Sequence, residues 1–194
     1  PQHRLNLANK PPPSLEETEE LLTFSSLVYS FRAVDATNCS SASDIFDKFP
    51  ISQLFNCHFY ERDEQDTQVL IVSSTIRNAI VVVFAGTDDL RNALTDGDIL
   101  MEPFGPSMSQ YLPPTSPNNT IRVHAGFNHA VFGNGLFDRI LETILLILST
   151  SCSSCHVYTT GHSLGAADSI LTAVALTQYF NSNSSMTSFS SPQR

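Results

Sequence analysis

The sequence lacks tryptophan, contains only two lysines and has few charged residues of either sign. Charged residues make up 15% of the 194 positions, whereas an ordinary soluble domain has roughly 25%. Ten basic residues stand against nineteen acidic ones, which gives a formal net charge of -9. A chain this acidic has no basic patch for nucleic acid, so we expect no nucleic-acid partner.

Long hydrophobic runs are also absent. The densest one, at residues 140–148, is interrupted by Glu142 and Thr143. It falls short of the roughly 18 apolar residues that a membrane helix needs, so no transmembrane segment is predicted. The chain begins without Met and without a basic segment followed by an apolar one, so we expect any signal peptide to have been removed or never included. Hydrophobic residues still make up 41% of the chain, enough for the core of one ordinary domain.

The chain has only four cysteines, Cys39, Cys57, Cys152 and Cys155, which allow three pairings. Cys152 and Cys155 are spaced for a local bridge. Their C-x-x-C follows a predicted helix and precedes a predicted strand, which is the wrong context for a thioredoxin-like redox motif, and a zinc site is equally disfavoured. We expect no metal and no organic cofactor. An oxidising location, secreted or lumenal, is favoured over the cytoplasm.

Two parts of the chain are distinguished by pattern. Residues 1–34 are predicted to form a proline-rich arm and a helix to about Phe31, followed by a Ser- and Asn-rich loop. Residues 35–194 are predicted to form the main domain. Within it the proline-rich residues 101–119 are expected to lack regular structure.

The main domain alternates predicted strands and helices. Continuous apolar, β-branched runs predict a hairpin, and a broad apolar stripe predicts a helix that leads into a short strand and a further helix. The expected strands are residues 68–73, 79–85 and 156–160, and the expected helices are residues 135–149 and 164–180. This order favours an α/β sheet with parallel crossovers.

A single G-x-S-x-G pattern, at residues 161–165, lies between the last predicted strand and helix. This context is typical of a nucleophile elbow, in which Ser163 takes a strained backbone conformation and becomes exposed. Gly161 and Gly165 are needed because neighbouring backbone would clash with a Cβ atom. The Leu164 N–H then points to where an oxyanion develops, so the spacing indicates acyl transfer with Ser163 as nucleophile.

Four blocks resemble the class 3, or fungal-type, lipase family of α/β hydrolases. The segment V-V-V-F-A-G-T resembles the family's F-R-G-[ST], R-N-A-L-T-D resembles R-N-W-x-x-D, V-H-A-G-F resembles V-H-x-G-F, and T-G-H-S-L-G-A-A resembles T-G-H-S-L-G-G-A. They follow the family's order, at residues 81–87, 91–96, 123–127 and 160–167. The resemblance implies an α/β-hydrolase fold with a mostly parallel central sheet and flanking helices.

The resemblance also implies the chemistry. It implies hydrolysis of acylglycerol esters at a lipid–water interface through an acyl-enzyme on Ser163. Thr87 would complete the oxyanion hole together with the Leu164 N–H, although an ordinary capping threonine is the alternative. The segment after Thr87 would be a lid, since Leu90, Ala93 and Leu94 form one short apolar face at helical spacing, with a plain surface turn as the alternative.

Some positions depart from the family pattern. Ala85 stands where the family usually has Arg, and Ala93 where it often has Trp, so the charge anchor under the lid and its bulkiest lipid contact are both absent.

Three other residues near the matched blocks are not expected to be catalytic. His124 is predicted to be structural, His162 to point away from Ser163, and Asp168 to be a helix-start charge.

The catalytic base is not identifiable in the sequence. No histidine follows Ser163, and Asp168 is the only carboxylate after it, whereas α/β hydrolases supply the triad in the order Ser, Asp, His. The last residues, S-F-S-S-P-Q-R, resemble the family's T-F-G-x-P-R, which precedes both missing partners. We therefore expect a C-terminally truncated catalytic domain with weak activity at most. The alternatives are a feruloyl esterase or phospholipase on the same fold, or a non-catalytic lipid-binding protein.

Overall fold

The computed structural model describes residues 13–32, 36–62, 67–86, 100–105 and 121–185. In chain order, the elements are α1 (Leu15–Arg32), α2 (Cys39–Phe46), a 3₁₀ helix (Pro50–Gln53), β1 (Asn56–Arg62), β2 (Gln68–Ser74), β3 (Ala79–Phe84), β4 (Met101–Pro103), β5 (Arg122–His124), α3 (Ala125–Phe132), a 3₁₀ helix (Gly133–Gly135), α4 (Leu136–Thr150), β6 (His156–Gly161) and α5 (Leu164–Ser185). None of the helices in these ranges is long and apolar enough to cross a bilayer.

The main sheet has the strand order β1-β2-β3-β6 and is mixed. The first two pairings are antiparallel, and only β3 and β6 run parallel, from Ala79 opposite His156 to Phe84 opposite Gly161. The fold class is α/β as predicted, but the expectation of a mostly parallel sheet is wrong for the strands that the structure describes. Short connections join β1 to β2 and β2 to β3, and such connections permit only antiparallel neighbours, whereas the chain from β3 to β6 is long enough for a crossover.

Two hydrophobic layers enclose the sheet. Every residue of β2 and β3 is buried, which explains why both strands read as continuous apolar runs. Alternate side chains point to opposite faces, so Ile71 and Val82 pack with α4 and α5, whereas Val72 and Val83 pack with α1 and α2. The architecture is therefore a helix layer, a sheet and a second helix layer, and β6 lies next to β3 at one end of the described strand order.

The stretch that was predicted to be loop after α1 contains the helix α2. Its N-cap is Asn38, whose side chain accepts the Ser41 N–H at 2.9 Å while the Ser41 hydroxyl accepts the Asn38 N–H at 3.0 Å. This reciprocal capping uses serine where glutamate or glutamine is usual, so the start signal is easily overlooked. Burial of Ala42 and Phe46 fixes the helix against α1 and β1.

A short strand also stands where the proline-rich segment was expected to be irregular. Met101–Pro103 pairs with Arg122–His124 in a separate two-stranded sheet. Pro103 is tolerated because it lies at the end of the strand, where a missing N–H costs little.

The four cysteines form two disulfides. Cys39 pairs with Cys57 and ties the start of α2 to β1, and Cys152 pairs with Cys155 in the connection from α4 to β6. The structure thus selects one of the three pairings that the sequence allows, including the local bridge.

We expect the apolar stripe of α4 to dominate the stability of its layer, and two leucines on this helix test the idea. Leu141 is fully buried, whereas Leu146 is 61% exposed. Leu141→Ala should lower the free energy of unfolding by about 3 kcal/mol, because it removes buried methyl groups and leaves a cavity. Leu146→Ala should change it by less than about 0.5 kcal/mol. Urea unfolding of the full-length variants measures both, and equal losses would contradict the assignment of the buried face.

Candidate active site

Ser163 lies in the tight turn between β6 and α5. The strand ends at Gly161 and the helix begins at Leu164, so two residues reverse the chain direction. Ser163 is exposed and has φ +59°, a left-handed conformation that costs a side-chain-bearing residue energy. Among the described residues other than glycine, only Asn78 and Asn134 also have a positive φ, and asparagine tolerates this conformation better than serine does.

Two glycines make the turn sterically possible. A Cβ atom on Gly161 would lie 2.3 Å from the carbonyl oxygen of Gly165, and one on Gly165 would lie 2.5 Å from that of Phe84. Both contacts are with backbone, which has little freedom to move. The first turn of α5 therefore packs directly against the carboxyl ends of β3 and β6, as the spacing of the two glycines predicts.

The N-terminus of α5 directly follows Ser163. The first N–H groups of a helix have no acceptor within the helix, and the N-terminus carries partial positive charge. Leu164 provides the first of these groups, while the next two N–H groups, of Gly165 and Ala166, bond back to the carbonyls of His162 and Ser163 at 3.1 and 3.0 Å. The Leu164 N–H is thus available to a negatively charged oxygen bound next to Ser163.

The chain that leaves β3 passes beside the same turn. A Cβ atom on Gly86 would lie 2.6 Å from the His162 carbonyl oxygen and 3.1 Å from the Ser163 Cβ. Only glycine allows this approach. Thr87 is the next residue and lies outside the described residues, so its place in an oxyanion hole stays a prediction.

Helix α1 contacts β6 along a polar seam that the sequence analysis did not predict. Four helix residues spaced four apart contact three alternate residues of the strand and its turn, and Thr160 meets two of the four. The contacts are Tyr158 Oη to Glu17, Thr160 Oγ1 to the Leu21 carbonyl, Ser25 Oγ to Thr160 Oγ1 at 2.9 Å, and Tyr29 Oη to His162 Nδ1 at 3.2 Å.

Tyr29 is the seam residue that reaches the candidate site. Its hydroxyl also accepts the Gly86 N–H at 2.8 Å, so it contacts the ends of both β3 and β6. In the sequence, the polar residues Ser25 and Tyr29 recur at helical spacing beside the apolar face of α1. This pattern indicates that the helix meets polar groups, but it does not show which residues those groups belong to.

No histidine or carboxylate is hydrogen-bonded to the Ser163 hydroxyl within the ranges that the structure describes. The His162 ring is engaged with Tyr29, and His124 Nδ1 accepts the Gly126 N–H at 3.1 Å as the N-cap of α3. His58 lies on β1, where Nε2 is 2.7 Å from the Ser73 hydroxyl and burial lowers the pKa of the ring. These contacts agree with a structural role for His124 and with a His162 ring that is bonded to Tyr29 and not to Ser163.

Asp168 lies one turn into α5, where the sequence places it, and is only 5% exposed. Its interpretation as a helix-start charge stays a prediction. The proposed lid residues Leu90, Ala93 and Leu94 lie outside the described residues, so the lid stays a prediction.

Solved structures similar to this chain include several lipases. A Rhizomucor miehei lipase–propeptide complex is 23% identical with a TM-score of 0.59, and the match covers 86% of this chain and 48% of that one. A mono- and diacylglycerol lipase from Aspergillus oryzae is 23% identical, with a TM-score of 0.61 and coverage of 86% and 58%. A triacylglycerol lipase described as having a serine protease triad is 24% identical, with a TM-score of 0.61 and coverage of 88% and 58%.

The chain spans about half the length of these lipases, and at such identities the likeness establishes the fold alone. A search of the curated proteins finds no match. The model of the family described as Lipase (class 3) matches residues 81–193, which contain most of β3 and all of β6, the Ser163 turn and α5. Since this match extends over more than half of the 194 residues, the chain belongs to the class 3 lipase family.

Proposed function

We propose that the full-length protein hydrolyses carboxylic esters of acylglycerols through an acyl-enzyme on Ser163. The observation that carries the proposal is the exposed Ser163 at φ +59°, held at the N-terminus of α5 by glycines that leave no room for a side chain. Backbone strain at an exposed nucleophilic residue is typical of a catalytic position. Membership of the class 3 lipase family supports ester hydrolysis, and the similar structures described as acylglycerol lipases support the substrate class.

The proposed reaction has two steps at Ser163. First, the Ser163 oxygen attacks the carbonyl carbon of the ester, its proton passes to a base, and negative charge develops on the carbonyl oxygen. The Leu164 N–H and Thr87 would stabilise this oxyanion. Collapse then breaks the bond to the alcohol, which leaves with the proton from the base. In the second step a water molecule attacks the acyl-enzyme by the same route and releases the fatty acid and the serine.

The base and its orienting carboxylate are proposed to come from segments outside the described residues. The described histidines are engaged elsewhere or lack a hydrogen bond to Ser163. The serine protease triad described for one of the similar lipases is the arrangement that we propose for the full-length protein.

Two further parts of the proposal concern the surroundings of the enzyme. The apolar face at Leu90, Ala93 and Leu94 is proposed to act as a lid that turns toward lipid, with apolar burial as the driving force because the chain is acidic. A secreted or lumenal location is also proposed. The pairing of all four cysteines in two disulfides supports it, since disulfides persist in oxidising compartments.

Ser163→Ala should abolish hydrolysis. We expect kcat toward a short-chain nitrophenyl ester to fall by at least about a thousandfold, because no other group forms the acyl-enzyme. Covalent labelling by a fluorophosphonate should disappear in parallel. Ser149→Ala, which changes an exposed serine near the end of α4, is the matched control and should keep both activities. Retained turnover in Ser163→Ala would overturn the proposed nucleophile.

The substrate class is tested separately on the full-length enzyme. We expect kcat/KM for a triacylglycerol emulsion to exceed the values for a phospholipid and for a feruloyl ester, each compared at equal enzyme concentration. A preference for either of the other two would replace the acylglycerol assignment with phospholipase or feruloyl esterase activity on the same fold. Binding of lipid without turnover of any ester would identify a non-catalytic lipid-binding protein.

The strain at Ser163 predicts opposite effects of glycine at two serines. Ser163→Gly should be more stable than Ser163→Ala by about 1 kcal/mol, because only glycine adopts a positive φ without steric cost. At Ser149, in the helical conformation of α4, glycine should be less stable than alanine by about 1 kcal/mol. Chemical unfolding of the four variants measures the differences, and the same sign at both positions would exclude strain at Ser163.

A further inference from the structure

We propose that Tyr29 is a positioning residue for catalysis: its hydroxyl fixes the Gly86 peptide, and through it the oxyanion hole, relative to Ser163. The inference rests on the proposed function, since it assumes that an oxyanion forms beside Ser163. Tyr29 does not touch the reacting atoms. It acts through the two chain segments that carry them.

The hydroxyl of Tyr29 has the bonding capacity for both contacts. A phenol has one O–H donor and two acceptor lone pairs. It accepts the N–H of Gly86 at 2.8 Å and lies 3.2 Å from His162 Nδ1, to which it donates when the imidazole carries its proton on Nε2. The ring planes of Tyr29 and His162 are 68° apart with centroids at 6.1 Å, so the His162 ring meets that of Tyr29 edge to face. One atom thus joins the end of β3 to the turn that follows β6.

The Gly86 peptide has little freedom once this bond forms. A Cβ atom on Gly86 would lie 2.6 Å from both the Tyr29 hydroxyl and the His162 carbonyl oxygen, so the backbone is enclosed on these sides. The same position is 3.1 Å from the Ser163 Cβ. Gly86 directly precedes Thr87, whose N–H and hydroxyl are the proposed oxyanion donors. A shift of the Gly86 peptide would therefore move these donors relative to the nucleophile.

The support for Tyr29 is rigid. The apolar face of α1 is fully buried at Phe24, Leu27, Val28 and Phe31, which pack with the sheet. One turn before Tyr29, the Ser25 hydroxyl bonds to Thr160 at 2.9 Å and fixes the height of the helix along β6. The position of the Tyr29 hydroxyl is therefore set by the packing of α1 against the sheet and not by the residues around Ser163.

This arrangement differs from simple anchoring of α1. Tyr158 also joins α1 to β6 through its hydroxyl, which donates to Glu17, but it does so three helical turns away from Tyr29. Both tyrosines stabilise the packing of α1, whereas only Tyr29 contacts the strand ends that carry Gly86 and Ser163. Preorganised donors stabilise a transition state more than a ground state, so loss of the Tyr29 hydroxyl should affect catalysis more than substrate binding.

Tyr29→Phe in the full-length enzyme tests the proposal, with Tyr158→Phe as the matched control. We expect Tyr29→Phe to lower kcat for a short-chain ester about tenfold while KM changes less than twofold, because a partly misplaced donor costs less than a missing one. Affinity for phenylboronic acid, which forms a tetrahedral adduct on the serine, should fall by a similar factor. Tyr158→Phe should leave kcat, KM and this affinity unchanged, although both variants lower the melting temperature.

Each outcome is decisive when kcat is expressed per active site, titrated with a fluorophosphonate, so that unfolded enzyme is not counted. Unchanged kcat and boronate affinity in Tyr29→Phe would overturn the proposal, and so would equal losses in both tyrosine variants, which would indicate anchoring alone. Activity that persists in Ser163→Ala would instead remove the proposed function itself. The two failures are therefore distinguishable.

Discussion

The contact between the carboxyl ends of β3 and β6 and the first turn of α5 is the constraint on which the rest of the structure depends. Three glycines, Gly86, Gly161 and Gly165, meet there at distances that leave no space for a Cβ atom. Because β3 and β6 are parallel, both strands end at the same edge of the sheet, and ligands of α/β folds bind at this edge. The position of the candidate site thus follows from the direction of one strand pair.

Both helix layers maintain this contact. On one face, α5 presses its first turn against the strand ends while its later residues Ala175 and Leu176 are buried with α4 and the sheet. On the other face, α1 packs its apolar side on β2 and β3 and places Tyr29 across the strand ends. The strained conformation of Ser163 persists because burial on both faces stabilises the fold by far more than the roughly 1–3 kcal/mol that one such residue costs.

The sequence predicts best those features whose cause lies within a short stretch of the chain. The continuous apolar run of β3, the stripe of α4 and the glycine spacing around Ser163 are all visible within short windows, and each is present in the structure. Helix α2 was missed because Ser41 replaces the usual capping glutamate. The mostly parallel sheet was expected from the family resemblance, whereas the short connections from β1 to β2 and from β2 to β3 make both of these pairs antiparallel. Tyr29 was missed for a different reason. Its partners Gly86 and His162 are 57 and 133 residues away, and no local pattern reveals a contact that the packing of α1 creates.

The low charge content of the chain has a structural counterpart in the seam between α1 and β6. Charged groups lie beside the end of the seam that is far from Ser163: Arg77, in the connection between β2 and β3, pairs with Glu16 and Glu20 of α1, and burial raises the pKa of Glu20 despite that pairing. Toward Ser163 the seam consists of neutral hydroxyl groups, on Ser25, Thr160 and Tyr29. A fixed negative charge in the seam close to Ser163 would oppose an oxyanion by Coulomb repulsion. Hydroxyl groups instead satisfy the backbone and hold the helix in register without adding net charge. The serine- and threonine-rich composition therefore suits the proposed chemistry: it permits rigid polar packing next to a site where the developing charge is negative.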